Sequence, residues 1–582
     1  VSRALFFFLS LLLTVGLVAA ALWAFWPSLT AQAQLPNVPS TAVELPWQFH
    51  KPSVGNFLYV ELDVKRFTPR IWQIVPDDDL RTLRINGLWV PLDGVRPGGL
   101  QDYITGFPID LSLFLVPGCN HLEFQLDNHE YDGGLTLRPV LGPARWACIV
   151  LAFLPLLLGL GRLFRLHPLQ TAALGLGLVA IACYWAFTPW WIRTHDVGGG
   201  GHLEYASYIL SHHALPNPME GWTYYHPPLY YLLSAGIIAG ARGLSLPVPE
   251  CVQALSLALW LVFLAASAGA LRLSLRNRLG ALLLATLTVA LWPSGVMHAV
   301  RIGNDSAFYA AAAVATWFTI RWWQRHRRRD LWGLSAAIAA ALLCKSNGTV
   351  LLAAGGLLIG GVALRRLRRP SLRWRALGDL VVFAGVTAAG FALSFAVRVY
   401  YFLRGDIRDW FISNADGLGS GLRVPVEVKS FLPLDIPTFL TQPWLETGND
   451  ATGRGNFWNA LLRTSLSGEF TFPGGLHRGL AIGFGVVLLA LCLAMLRRAV
   501  HAVSRRDVRA AYVNLPWLLL AFLWIAGIAA LRVKAPFACS NDFRYVLPAI
   551  VPAVLCWVDA GPAARWLMAA IPVLSAAFFF TL

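Results

Sequence analysis

The stretch THDVGGGGHLEYASYIL, residues 194–210, interrupts an apolar chain with His195, Asp196, His202 and Glu204 set around four consecutive glycines. A carboxylate in a dry cleft just beyond a membrane span can take the proton of a hydroxyl, which is general-base chemistry. Asp196 is the residue of that type, and the glycine run lets backbone come close to a substrate. Glu204 or His202 supplies a second polar group, although His202 reads equally as a solvated loop histidine. Further polar groups interrupt apolar sequence downstream: Tyr225 and His226 in YYHPPLYY, Arg301 with Asn304 and Asp305 in RIGND, Lys345 in CKSNG, and Asp542 with Arg544 in NDFRYVLP. The cations suit a phosphate, which arginine contacts in bidentate fashion. Asp196 with Asp305 offers hard oxygen ligands for a divalent cation, Mg or Mn, without showing that one is needed.

The elements that must position these groups are membrane helices. The chain has 582 residues, 57% hydrophobic and 13% charged, where a soluble domain carries roughly 25% charged residues. Long uncharged runs recur, and a span takes about 20 such residues. The net charge of +16 lies largely in arginine clusters between apolar runs, at 321–330, 365–375 and 497–506. That is the positive-inside pattern, and no nucleic-acid reading module accompanies it, so membrane lipids and not nucleic acid are the implied surroundings. Cys148, Cys183, Cys344, Cys492 and Cys556 fall in or beside apolar runs, as small hydrophobes do. Cys119 stands apart from them, with no disulfide or zinc spacing.

Threading the charges predicts a polytopic α-helical membrane protein of about 13 crossings. Residues 1–27 form an N-terminal anchor. Residues 40–142 carry period-two alternation, with Leu58, Val60, Leu62 and Val64 on one face and Leu122, Phe124 and Leu126 on another. This predicts an inserted β-sandwich, jelly-roll-like and periplasmic. The helical bundle follows at 145–402, with an external loop at 193–227 and a helix at 228–242. That helix reaches only about 22 Å, so it is expected to lie in the outer interface with Tyr230 and Tyr231 at headgroup depth. A periplasmic loop region, 403–475, and C-terminal spans, 476–582, complete the chain. Lys345 is expected at the external turn between two short helices.

The order Asp after a span, HPPLYY, RIGND, CKSNG and DFRYVLP, all on one side, resembles the GT-C superfamily of membrane glycosyltransferases over about residues 168–560. The protein O-mannosyltransferases and the lipid A aminoarabinose transferase are the similar groups. One departure is that Val197 follows Asp196 where the family often has Asp-Glu. The resemblance implies a polyprenyl-phosphate sugar as donor, a glycan, lipid or protein as acceptor, inversion at the sugar, and an active site facing the periplasm from a bacterial inner membrane. It implies Asp196 as general base. It implies substrate contacts from His195, His202, Glu204, Tyr225, His226, Arg301, Asn304, Asp305, Lys345, Asp542 and Arg544, with Lys345 on the lipid phosphate. Some members bind a divalent cation; no other cofactor is implied. Two rivals stay open: a flippase or transporter of lipid-linked glycans, and a non-catalytic glycan-assembly protein whose β-domain binds the glycan.

Overall fold

In the computed structural model of the chain, residues 2–45, 47–49, 52–77, 79–92, 106–129, 133–187, 200–408, 420–472, 474–505 and 508–582 are described. The chain divides into two compact units, one of Val1–Leu11, Leu154–Ala239 and Val252–Leu582, the other of Leu12–Phe153 and Gly240–Cys251. The whole is a polytopic α-helical membrane protein with an inserted β-sheet domain.

The smaller unit holds the strands β1 (Ser28–Gln34), β2 (Thr41–Val43), β3 (Trp47–Phe49), β4 (Ser53–Val64), β5 (Ile71–Asp77), β6 (Asp79–Ile85), β7 (Leu88–Trp89), β8 (Phe107–Asp110), β9 (Gly118–Asn128) and β10 (Gly133–Pro139). They pair antiparallel in two sheets, ordered β2-β1-β4-β9-β6-β7 and β3-β10-β5-β8. The alternation along β4 and β9 becomes a buried face, because Leu58 stands opposite Phe124 and Val60 opposite Leu122, and all four are buried. Asn86 and Gly87 both have positive φ and turn β6 into β7, the backbone that an Asn-Gly hairpin adopts. The sheets begin at Ser28, ahead of the boundary expected at residue 40. Strand β1 buries Ala31 and Ala33, with Leu29 partly buried against the same core, and two alanines leave little period-two signal. Phe124→Ala would empty the centre of this core. It is expected to cost about 3–5 kcal/mol, seen as a lower first unfolding transition when the full chain is heated in detergent.

The other unit is helical. Among the described residues nine helices of the whole chain are long and apolar enough to cross a membrane: Arg3–Phe25, Pro143–Leu163, Pro168–Phe187, Val248–Leu275, Gly348–Leu367, Pro370–Leu403, Gly475–Arg497, Asn514–Lys534 and Pro562–Phe580. The expectation of about 13 crossings also counted less regular segments. Leu279–Ala290 has 12 residues, about 18 Å of helix. Asp305–Arg325 has 21 residues, but its tryptophans, threonines and charged ends lower its apolarity. The helix after the two prolines, Leu229–Gly243, has 15 residues and is not among the nine.

Candidate functional site

Two consecutive helices make the centre of the site. Asp305–Arg325 and Arg328–Cys344 are joined by only His326 and Arg327, so they return on one another. The first residue of one helix therefore meets the residue that follows the last of the other. Asp305 sits at a helix N-terminus and Lys345 at a C-terminus, where each charge complements its helix dipole. Lys345 Nζ stands 2.5 Å from Asp305 Oδ1, and both side chains are buried. Lys345 Nζ also lies 4.7 Å over the Tyr545 ring. Asn304, just ahead of Asp305, donates through Nδ2 to the Cys344 carbonyl at 2.9 Å.

The remaining walls fasten to this hairpin. The turn Phe543–Ala549 is held by Tyr309, whose hydroxyl donates to the Arg544 carbonyl at 2.6 Å, and by Asn347, whose Nδ2 donates to the Tyr545 carbonyl at 2.9 Å. Helix Leu229–Gly243 packs its first turn inward, because Pro227 and Pro228 lead into it without N–H groups of their own. The Gly303 N–H donates to the Tyr230 hydroxyl at 3.0 Å, and His202 Nδ1 shares a 2.8 Å hydrogen bond with the Tyr231 hydroxyl. Both tyrosines are fully buried. They brace the site, facing protein and not lipid.

These elements surround a cavity of about 270 Å³, lined by His202, Tyr225, His226, Asn304, Asp305, Lys345 and Arg544 among the residues expected at a site. Seven residues spread over some 340 positions of sequence thus meet at one cavity. Arg301 and Asp542 are buried behind it and do not line it. Arg301 reaches the Phe470 ring at 6.0 Å, and its buried Nη1 has no hydrogen-bond partner among the described residues. Asp542 accepts from the Arg544 N–H at 2.9 Å, and its carboxylate stands 3.3 Å from Arg544 Nε. His195 and Asp196 lie outside the described residues.

Glu204 is not in the cavity wall; its carboxylate turns back to the Gly200 N–H, in the manner of an acidic residue closing the first turn of its helix. Gly200 has φ +78°, and a Cβ there would meet Gly221 Cα at 2.3 Å. At this glycine the backbone therefore approaches another stretch of the chain, where closeness to a substrate was expected. Of the two ligands expected for a divalent cation, Asp196 lies outside the described residues. Asp305 is committed to Lys345, and no group of three His, Cys, Asp or Glu able to hold a metal gathers among the described residues.

The cavity also contains residues that sequence reasoning passed over, of which Glu469 matters most. Its carboxylate is 4.0 Å from Arg544 Nη1. It follows Gly468, whose φ is +61°, at the end of helix Phe457–Ser467. It is the only Asp, Glu, Lys or Arg between Arg463 and Arg478, a signal that was available. Arg398 was missed as well; its Nε donates at 3.0 Å to the Tyr225 carbonyl and holds that turn against helix Arg373–Leu403.

Charge in the site is set by burial. Burial, then Lys345 and His202, hold the His226 imidazole well below its ordinary range, so His226 meets a ligand as a neutral ring. Burial and then Glu469 push the Asp542 carboxyl up to about 7, against the opposing pull of Arg544. A carboxyl raised on folding contributes stability that is complete below its unfolded pKa and is lost as pH rises through the folded value. The loss for Asp542 therefore runs from the ordinary carboxyl value, 3.8, up to about 7 and is complete above that. Asp542→Asn should flatten the fall in melting temperature between about pH 4 and pH 7, with the gain at the upper end. An unchanged profile would place that titration elsewhere.

No family model matches the chain, and no curated protein matches it. Among solved structures it is similar to the arabinosyltransferase EmbB from Mycobacterium smegmatis, at 16% identity and a TM-score of 0.32, over 100% of this chain and 63% of that one. The chain thus spans under two thirds of EmbB's length. It is also similar to ArnT from Cupriavidus metallidurans bound to undecaprenyl phosphate, at 17% identity and a TM-score of 0.30, over 70% of this chain and 77% of that one. The same ArnT in its apo state aligns at 19% identity and a TM-score of 0.30, over 68% of this chain and 76% of that one.

Proposed function

We propose that the chain is a membrane glycosyltransferase of the GT-C type, moving a sugar from a polyprenyl-phosphate donor to a hydroxyl of a glycan, lipid or protein on the periplasmic face of an inner membrane. The observation that supports it best is the single cavity in which buried Lys345 and Arg544 gather with Asp305 and Glu469. Cations on a preorganised framework suit a leaving phosphate, whose charge grows as the bond to the sugar breaks. Lys345 keeps N–H donors to spare beyond the one given to Asp305, so Asp305 aims the ammonium without consuming it.

In this reading the acceptor oxygen attacks the anomeric carbon from the face opposite the phosphate. The new bond is acceptor oxygen to C1, and the bond that breaks is C1 to the phosphate oxygen. The electron pair leaves with the lipid phosphate, which Lys345 and Arg544 stabilise. The hydroxyl proton passes to a carboxylate. Asp196 is assigned as that base, as the residue resemblance implies. Glu469 is the second reading, favoured by its place in the cavity wall. No step is routed through a metal.

Purified protein should carry a polyprenyl phosphate or its sugar conjugate through extraction, detected by mass spectrometry. Added donor should be consumed only when an acceptor hydroxyl is present. Donor that changes leaflet in vesicles without losing its sugar would support the flippase reading. Glycan retained without turnover would support the assembly-protein reading.

A further inference from the structure

The Asp305 helix has a second cavity at its far end. Arg321 lies sixteen residues from Asp305, about 24 Å along the helix. The cavity measures about 520 Å³, and Arg165, Arg272, Arg276, Arg321 and Arg325 all line it. No carboxylate is among its lining residues. It shares no residue with the candidate site, and nothing in the proposed transfer uses it.

The arginines are poorly neutralised. Arg321 has one partner acid, Asp330, at 2.8 Å, and its Nε is buried without a hydrogen-bond partner. Its guanidinium lies 4.2 Å over the Trp317 ring, which fixes the plane of the fork. Arg272 donates to the Arg165 carbonyl, and Arg165 itself holds φ +60°, a left-handed backbone that arginine seldom adopts. Arg165, Arg276 and Arg325 make no ion pair among the described residues. Five guanidinium groups, three of them exposed and two half-buried, concentrate positive charge around one volume that an anion would offset, and a planar fork suits the oxygens of a phosphate. One wall is aromatic, with Phe164 and Trp317 edge to face at 5.0 Å, and can take the uncharged part of such a ligand. Basic pockets between membrane helices bind lipid head groups by this chemistry, and the volume lies in the usual range of small-ligand sites, about 300–1,000 Å³.

We propose that this cavity is a binding site for a phosphate-bearing ligand, either the head group of an anionic phospholipid or a soluble phosphate compound. The positive charge at this end then does more than orient the chain. It holds a ligand that neutralises helices Val248–Leu275 and Asp305–Arg325 where they meet.

The test uses the full chain purified in detergent, with native mass spectrometry as readout. Dioleoyl-phosphatidylglycerol should be retained about tenfold better than dioleoyl-phosphatidylcholine, a preference set by charge. The combined variant Arg272→Gln, Arg276→Gln, Arg325→Gln should lose that preference. Arg365→Gln, Arg368→Gln, Arg369→Gln, an equal loss of charge elsewhere, should keep it. Sodium phosphate that displaces the lipid, where sodium chloride of equal ionic strength does not, assigns the site to a soluble phosphate. Lipid retained against phosphate assigns it to a head group. Equal retention by both triple variants, or no preference in the wild-type protein, overturns the proposal. If the first variant does not fold, Arg276→Gln alone, at an exposed position, carries the same comparison. Failure here leaves the transferase reading untouched, since loss of donor turnover is a separate measurement.

Discussion

Asp196→Asn is expected to lower turnover by roughly 10²-fold or more while leaving donor retention intact. The substitution keeps size and hydrogen-bonding shape and removes only the ability to accept the hydroxyl proton. Donor retention is assigned to Lys345 and Arg544, so it should survive, and the loss should fall on kcat and not on KM. Glu469→Gln is the necessary companion, because Glu469 is the carboxylate that lines the described cavity together with Asp305. If Glu469→Gln shows the large loss in kcat and Asp196→Asn transfers sugar at the wild-type rate, the base is Glu469. If neither loses turnover, neither carboxylate is the base, and another group must accept the hydroxyl proton. Glu469→Gln also removes the negative neighbour that helps to raise Asp542. Its effect on the stability profile with pH should therefore resemble that of Asp542→Asn, and this separates a folding effect from a chemical one.

What could be read ahead of the structure follows from how local each signal is. Strands β4 and β9 announce themselves because large apolar residues alternate with other residues from Leu58 to Val64 and from Leu122 to Leu126, while β1 buries only two alanines fully and passes unnoticed. The Asp305–Lys345 meeting is 40 positions apart in sequence, yet both motifs were picked out because a charge at the end of an apolar helix is conspicuous. Their contact needs only that the two helices between them turn back. The packing of Tyr230 and Tyr231 against protein was not legible, because aromatic residues beside a short apolar helix ordinarily favour the lipid interface. Nothing local says that His202 and Gly303 wait to accept that face. Glu469 lies on a stretch with no periodicity, and only the return of helix Phe457–Ser467 brings it to Arg544. The arginine clusters were legible as an orientation signal, but not as a cavity. Arg165, Arg272 and Arg321 come from three separate segments, and only packing puts them around one volume.

The ion pair at the centre of the cavity predicts a second large effect, on stability and turnover together. Removing one partner of a buried pair leaves an uncompensated charge, which costs about 3–5 kcal/mol. Lys345→Met should therefore destabilise the protein through the Asp305 carboxylate it abandons, and should also remove the cation assigned to the leaving phosphate. Asp305→Asn should destabilise it less, because Lys345 keeps its charge over the Tyr545 ring, but the ammonium loses the group that aims it. The double variant Asp305→Asn, Lys345→Met should recover much of the melting temperature, since no isolated charge remains, and should not recover transfer. Loss of a preorganised donor to the leaving group is worth about 10²–10³ in kcat, so turnover should stay low in the well-folded double variant. Stability then recovers between the single and double variants while activity does not. A pair that serves only the fold would regain both together, and that result would remove Lys345 from the phosphate site.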